Sequence, residues 1–278
     1  MAVPAPAQQP AGACRATEEF SDLDISLNSA ALASAQLCLE QRTFAENGRD
    51  WGLTLVRNIF RQGPLWVVPH DDEDAGFLAG LYAVEHYGGA LVAVETGEQR
   101  LNEGVDPNQI FALTPQAAEI CPGAAEPAPH YVAAILAERN PAFPVVGLHS
   151  NWDGYLEAGG LGSISVLRQD SKMIPFPSAS ANGRFADEDT VVMLVGTDAL
   201  ERNSQAQAAR DWFNARGAHV IYRLVSADNN ECTLADFLAL SGVAPYYNLE
   251  VEHADAATLV SLADLLMAFQ EEPGAPPD

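Results

Sequence analysis

Residues 64–95 read PLWVVPHDDEDAGFLAGLYAVEHYGGALVAVE, and the order of hydrophobic patterns in this stretch decides the fold. Pro64 to His70 is a short continuous apolar run closed by a polar cluster, the mark of a buried strand. A helix is expected from about Asp74 to His86, stopped by Gly88-Gly89, because glycine accepts the backbone conformation that commonly ends a helix. Ala90 to Glu95 is a second apolar run. Strand, helix and strand in immediate succession make a unit of parallel strands.

The same rhythm returns along the chain. Apolar runs at 144–149, 190–196, 219–225 and 246–252 read as strands, with helices over about 201–215 and 255–269. This alternation predicts one α/β domain with a twisted, mostly parallel (mixed) sheet covered by helices on both faces. A helix-like stretch is expected within 25–60. Residues 1–22, rich in Pro, Ala and Gln, read as a flexible arm, 23–271 as the domain, and 272–278 as a disordered tail. Ligands of such sheets collect outside the carboxyl ends of the strands. His70, His149 and the segment from Glu250 to His253 all end predicted strands.

The composition narrows the function. The 278 residues carry 38 Asp and Glu against 14 Lys and Arg, a formal net charge of -24. The resulting field repels phosphate backbones and anionic lipid heads, so nucleic-acid binding is not expected. No apolar run reaches the length that a membrane-spanning helix requires. The Ala- and Pro-rich start resembles what remains after signal-peptide removal, so a secreted or periplasmic monomer is expected. Cys14, Cys38, Cys121 and Cys232 contain no CxxC pair, which disfavours a zinc-thiolate cluster. Cys14–Cys38 and Cys121–Cys232 are the favoured disulfides, the first tying the arm to the domain; four free buried thiols are the alternative.

His70-Asp71-Asp72-Glu73 places an imidazole and a carboxylate where a strand turns into a helix. The plainer reading is an acidic first turn that caps amides and complements the helix dipole. His149, at the end of another strand, would reach the same edge. Two histidines and one carboxylate, with an open fourth position, form a recognised catalytic zinc shell.

As an ordered set, His70-x-x-Glu73, Gly104-Val-Asp-Pro-Asn-Gln-Ile-Phe111, Leu148-His-Ser150 and Asn248-Leu-Glu-Val-Glu-His253 resemble the zinc carboxypeptidases, or funnelins, over about residues 64–269. The resemblance is to their compact bacterial members, which act on cell-wall peptides or acyl-amino acids. It implies Zn2+ held by His70, Glu73 and His149, and Arg100 as the arginine that polarises the scissile carbonyl. It also implies a glutamate base near the last strand. Glu250 is the choice, with Glu252 as the alternative, because an alternating strand puts both on one face. The family's second arginine is replaced by Gln109, beside Asn108 in the substrate-binding segment. A neutral amide cannot make the charged fork that grips a carboxylate. Arg168 and Arg184 are the candidate substitutes.

The function implied is hydrolysis of an amide or peptide bond by metal-activated water, on a peptide or acyl-amino-acid substrate that includes cell-wall (peptidoglycan-derived) fragments. A deacylase and a non-catalytic module that binds wall fragments or metal on the same fold are the alternatives. Calcium as the ion at His70 is disfavoured, because hard cations prefer all-oxygen shells. The sequence has no G-x-S-x-G elbow, P-loop or G-x-G-x-x-G to support another chemistry.

Overall fold

The computed structural model describes residues 14–121, 126–168 and 172–272; the expected tail beyond 272 and the first thirteen residues of the expected arm lie outside them. Nine strands form one sheet: β1 (Leu37–Glu46), β2 (Arg49–Asn58), β3 (Leu65–Val68), β4 (Ala90–Glu95), β5 (Val145–Asn151), β6 (Met173–Phe176), β7 (Val191–Gly196), β8 (His219–Leu224) and β9 (Tyr246–Glu252). The helices are α1 (Leu23–Leu27), α2 (Ser29–Leu32), α3 (Asp74–Tyr87), α4 (Pro115–Ala118), α5 (Pro129–Ile135), α6 (Ser204–Ala215), α7 (Leu234–Ser241) and α8 (Ala256–Gln270).

The strand order is β1-β2-β4-β3-β5-β9-β7-β8-β6. At its centre β4, β3, β5 and β9 are mutually parallel, while β1, β2, β6 and the β7–β9 junction are antiparallel. The sheet is therefore mixed, with a parallel block in the middle. Alternation along the central strands fills two cores. Trp66, Val68, Val146, Leu148, Leu249 and Val251 pack with α3, α6 and α8 on one face. Leu65, Val67, Val145 and Tyr246 pack with α5 and α7 on the other. Near-continuous apolar runs are what strands covered on both faces require.

The helix expected within 25–60 is confined to α1 and α2, and the rest is a hairpin of two ten-residue strands in register from Leu37–Asn58 to Glu46–Arg49. Its turn is Asn47-Gly48, with φ of 55° and 73°. Two left-handed residues in succession suit the tight turn whose twist matches that of the flanking strands.

Residues 14–22 are fastened to this hairpin. Cys14 is bonded to Cys38, and the Arg15 amide donates to the Leu39 carbonyl at 2.9 Å. Cys121 is bonded to Cys232. Both favoured pairings are thus present.

The topology also makes a crevice. From β3 the chain crosses through α3 to β4 on one side, then returns through α5 to β5 on the other side of β3. The two crossovers lie on opposite faces, since α3 packs in one core and α5 in the other. The carboxyl ends of β3 and β5 therefore flank a point where the winding reverses, the usual place for a ligand in such sheets.

Candidate metal centre

His70 lies two residues beyond β3, and His149 is in the last half of β5. Glu73 is the residue before α3, where it could have capped the helix. Its side chain makes no such bond. The plain capping reading of the acidic turn therefore fails for Glu73, whose carboxylate turns toward the crevice. One oxygen is 2.9 Å from His70 Nδ1 and 2.9 Å from Arg100 Nη1. The other is 3.3 Å from His149 Nδ1 and accepts from the Ser150 amide at 3.2 Å. One donor atom from each of His70, Glu73 and His149 lies within 4.8 Å of the other two. All three residues are at most 5% exposed.

Asp106 completes the arrangement. Its Oδ1 faces His70 Nε2 at 2.9 Å and also accepts from the Asn108 amide at 2.8 Å. Carboxylates face both ring nitrogens, so Nδ1 donates to Glu73 and Nε2 to Asp106; were a cation to take the place of the Nδ1 proton, Asp106 would keep the other proton on Nε2. Burial lowers the His70 pKa, but the hydrogen bonds to Asp106 and Glu73 outweigh it and push it up to about 9. For Glu73, burial raises the pKa, yet the two histidines hold it well below the usual carboxylate range. A buried anion drawing two imidazole nitrogens together is a site that favours a cation. The donor set, two nitrogens and a carboxylate, fits zinc rather than a hard oxygen-seeking ion.

Glu250 stands beside this group. On β9 it is the register partner of His149 on β5. It is 5% exposed and accepts from Asn248 Nδ2 at 2.9 Å. Burial and the charge of Glu73 raise its pKa, against His149, Asn248 and Arg100. Gly147 makes room for the row: a Cβ there would lie 2.1 Å from the Tyr246 hydroxyl and 2.8 Å from Asn248 Oδ1. Glu252, the alternative, is at the strand end and less buried, among Asp153, Asp187 and Asp255.

The remaining expected site residues divide. Arg100 reaches Glu73 with its side chain 47% exposed, so its guanidinium lies at the mouth of the crevice. Asn108 instead holds the fold together, accepting from the Leu234 amide at the start of α7 at 3.1 Å. Gln109 is half-buried one residue on. Arg168 donates to the Ser163 carbonyl at 3.3 Å. Arg184 donates to the Ala257 carbonyl and the Ser261 hydroxyl on α8, which places it with that helix and not with His70, Glu73 and His149. His253 stacks on Trp152, ring centroids 4.4 Å apart, and approaches Ser150 Oγ at 3.5 Å.

No family model matches the chain, and no curated protein does. Among solved structures it is similar to a candidate metallopeptidase from Shewanella amazonensis, at 15% identity over 88% of both chains with a TM-score of 0.45. It is also similar to a candidate carboxypeptidase A from Shewanella denitrificans, at 11% identity over 87% of this chain and 65% of that one, TM-score 0.45. A metallo-carboxypeptidase from Pseudomonas aeruginosa in complex with (2-guanidinoethylmercapto)succinic acid matches at 11% identity over 87% and 66%, TM-score 0.44. This chain thus spans about two thirds of the length of the last two. Likeness this loose carries nothing about chemistry, for which the geometry of the crevice has to speak.

Proposed function

We propose that the chain is a zinc-dependent hydrolase of amide or peptide bonds, with His70, Glu73 and His149 as the metal ligands. The observation that carries this reading is the convergence of two imidazole Nδ1 atoms on the two oxygens of one buried carboxylate, at the carboxyl edge of the parallel block. Zinc bound there would lower the pKa of water toward neutrality and polarise a carbonyl.

The protein's own groups supply the rest. Glu250 takes the proton of the attacking water and hands it to the leaving nitrogen, a role that its raised pKa suits. Arg100 donates to the oxygen on which charge develops. Asp106 holds His70 in the tautomer that presents Nδ1. Without an arginine at 109, specificity for a free terminal carboxylate is relaxed, so peptides and acyl-amino acids, cell-wall fragments among them, are the substrate class. Two disulfides suit an oxidising compartment, consistent with export.

A panel of N-acyl-amino acids and of peptides with free and blocked C-termini tests the proposal. Hydrolysis should be abolished by a chelator, restored by zinc, and similar on free and blocked peptides. Hydrolysis indifferent to chelation would remove the metal from the mechanism.

A further inference from the structure

The loop that follows β4 brings two side chains to the metal centre, and a third side chain outside the loop holds its shape. Arg100 reaches Glu73 Oε1 at 2.9 Å and Asp106 reaches His70 Nε2 at 2.9 Å, so residues 96–106 lie against the turn between β3 and α3. Asp71 stands in that turn between the two candidate ligands in sequence, and it is 4% exposed. Its Oδ2 accepts from the Thr96 amide at 2.6 Å and from the Glu98 amide at 2.9 Å.

Those two amides flank Gly97, where the backbone turns sharply. Gly97 has φ of 73° and Glu98 φ of 60°. Glycine takes the left-handed region freely, but a glutamate there is strained and persists only where its surroundings impose the conformation. The Asp71 carboxylate imposes it by gathering the amides on both sides of Gly97 onto one oxygen. The far end of the loop is fixed separately: Asn102 and Val105 exchange backbone bonds at 2.9 Å, and Asn102 Nδ2 donates to the Asp50 carbonyl at 2.9 Å. Arg100 thus sits between two pinned turns. Its side chain is long and 47% exposed, so many conformers would be open to it if its backbone were free. No bond joins Asp71 to Arg100 among the described residues, so Asp71 acts on it through the loop backbone.

We propose that Asp71 is the positioning residue of Arg100: by holding the turn at 96–98 it sets where the guanidinium stands at the mouth of the crevice, and so how well the oxygen that gains charge is stabilised. This rests on the role given to Arg100 above. Misplacing a group by about 1 Å can cost about 10²-fold in rate, so a residue that touches no substrate can still set kcat. The same turn that carries His70 and Glu73 thereby also registers the arginine against them.

The test is a double-mutant cycle in the zinc-containing protein, with kcat, KM, zinc content and unfolding temperature measured for Asp71→Ala, Arg100→Ala and the pair. Arg100→Ala should lose about 10² in kcat, as when an oxyanion donor is removed. Asp71→Ala should lose at least about tenfold in kcat, with KM within about twofold and zinc retained. In the Arg100→Ala background the same change should cost less than about twofold, because the side chain that it positions is gone. Equal losses in both backgrounds, or loss of zinc in Asp71→Ala, would make Asp71 a prop of the fold and overturn the proposal. Should Asp71→Ala not fold, Asp71→Asn and Asp71→Ser take its place. The first keeps a carbonyl oxygen able to accept from both amides and should stay within about threefold of the unmodified kcat, whereas the second is too short to span them and should lose about tenfold. Equal kcat in these two overturns the proposal. A loss in Arg100→Ala without one in Asp71→Ala overturns the positioning role alone, while an unaltered Arg100→Ala removes the role proposed for Arg100 and this one with it.

Discussion

His149 and Glu250 are directly opposed on the parallel strands β5 and β9. A candidate metal donor and a candidate base are therefore placed by one ladder of backbone hydrogen bonds and not by independent loops, the rigid support that a catalytic pair requires.

Glu250→Gln should keep the fold and the metal yet lose at least about 10² in kcat, the lower end of what general-base catalysis contributes. Glu252→Gln, made in parallel, should be close to unaltered, since Glu252 is at the more open strand end. Kinetics and metal content of both variants check this. Full activity in Glu250→Gln with loss in Glu252→Gln would exchange their roles.

The pH profile should report the environment of Glu250. A base must be ionised, so kcat/KM should rise with pH along an acid limb above the ordinary glutamate range, because burial raises the Glu250 pKa. Asn248 donates to that carboxylate and favours its charged form. Asn248→Ala should therefore move the limb to still higher pH. A limb that stays in place would detach it from Glu250.

Asp106→Asn should weaken zinc binding about 10- to 100-fold without abolishing it, the usual consequence of losing the acceptor behind a ligating histidine. Competition with a chelating indicator measures it. Unaltered affinity would mean that Asp106 does not orient His70.

The two disulfides should contribute unequally. Cys121–Cys232 closes a separation of 111 residues and Cys14–Cys38 one of 24. In the chain-entropy view the first is worth about 5 kcal/mol and the second about 3.5. Paired Cys→Ser variants compared by denaturant unfolding should show the larger loss for the long loop. The same bond adjoins the link from Cys232 to Phe111 and from Leu234 to Asn108, so it also steadies the segment that carries Asp106.

The central strands and the long helices near the crevice were legible because buried elements carry unbroken apolar patterns. The run 246–252 is β9 without a residue's error, and α3 begins at Asp74 as expected. The β1–β2 hairpin was not legible in the same way. Glu40, Arg42 and Arg57 occupy strand positions there, and with Glu138 they form a largely shielded ion network. Charges satisfied across the hairpin by Glu40 and from far along the chain by Glu138 break the alternation that marks a strand. The local cue is Asn47-Gly48, a dipeptide suited to a two-residue hairpin turn. The contact of Asp106 with His70, 36 residues apart, had a cue as well, since Asp106 lies inside the motif that pointed to Asn108 and Gln109. Arg184 had none: its engagement with α8 depends on packing that no local pattern encodes.

The metal centre itself is tested most directly by elemental analysis of the purified protein beside its His70→Ala and His149→Ala variants, each dialysed against zinc and then freed of excess. About one equivalent of zinc in the unmodified chain and little in either variant is the predicted result, since each change removes one of three protein ligands. Equal zinc in all three proteins, or none in the unmodified one, would contradict the assignment of His70, Glu73 and His149 as ligands and the hydrolytic chemistry built on it.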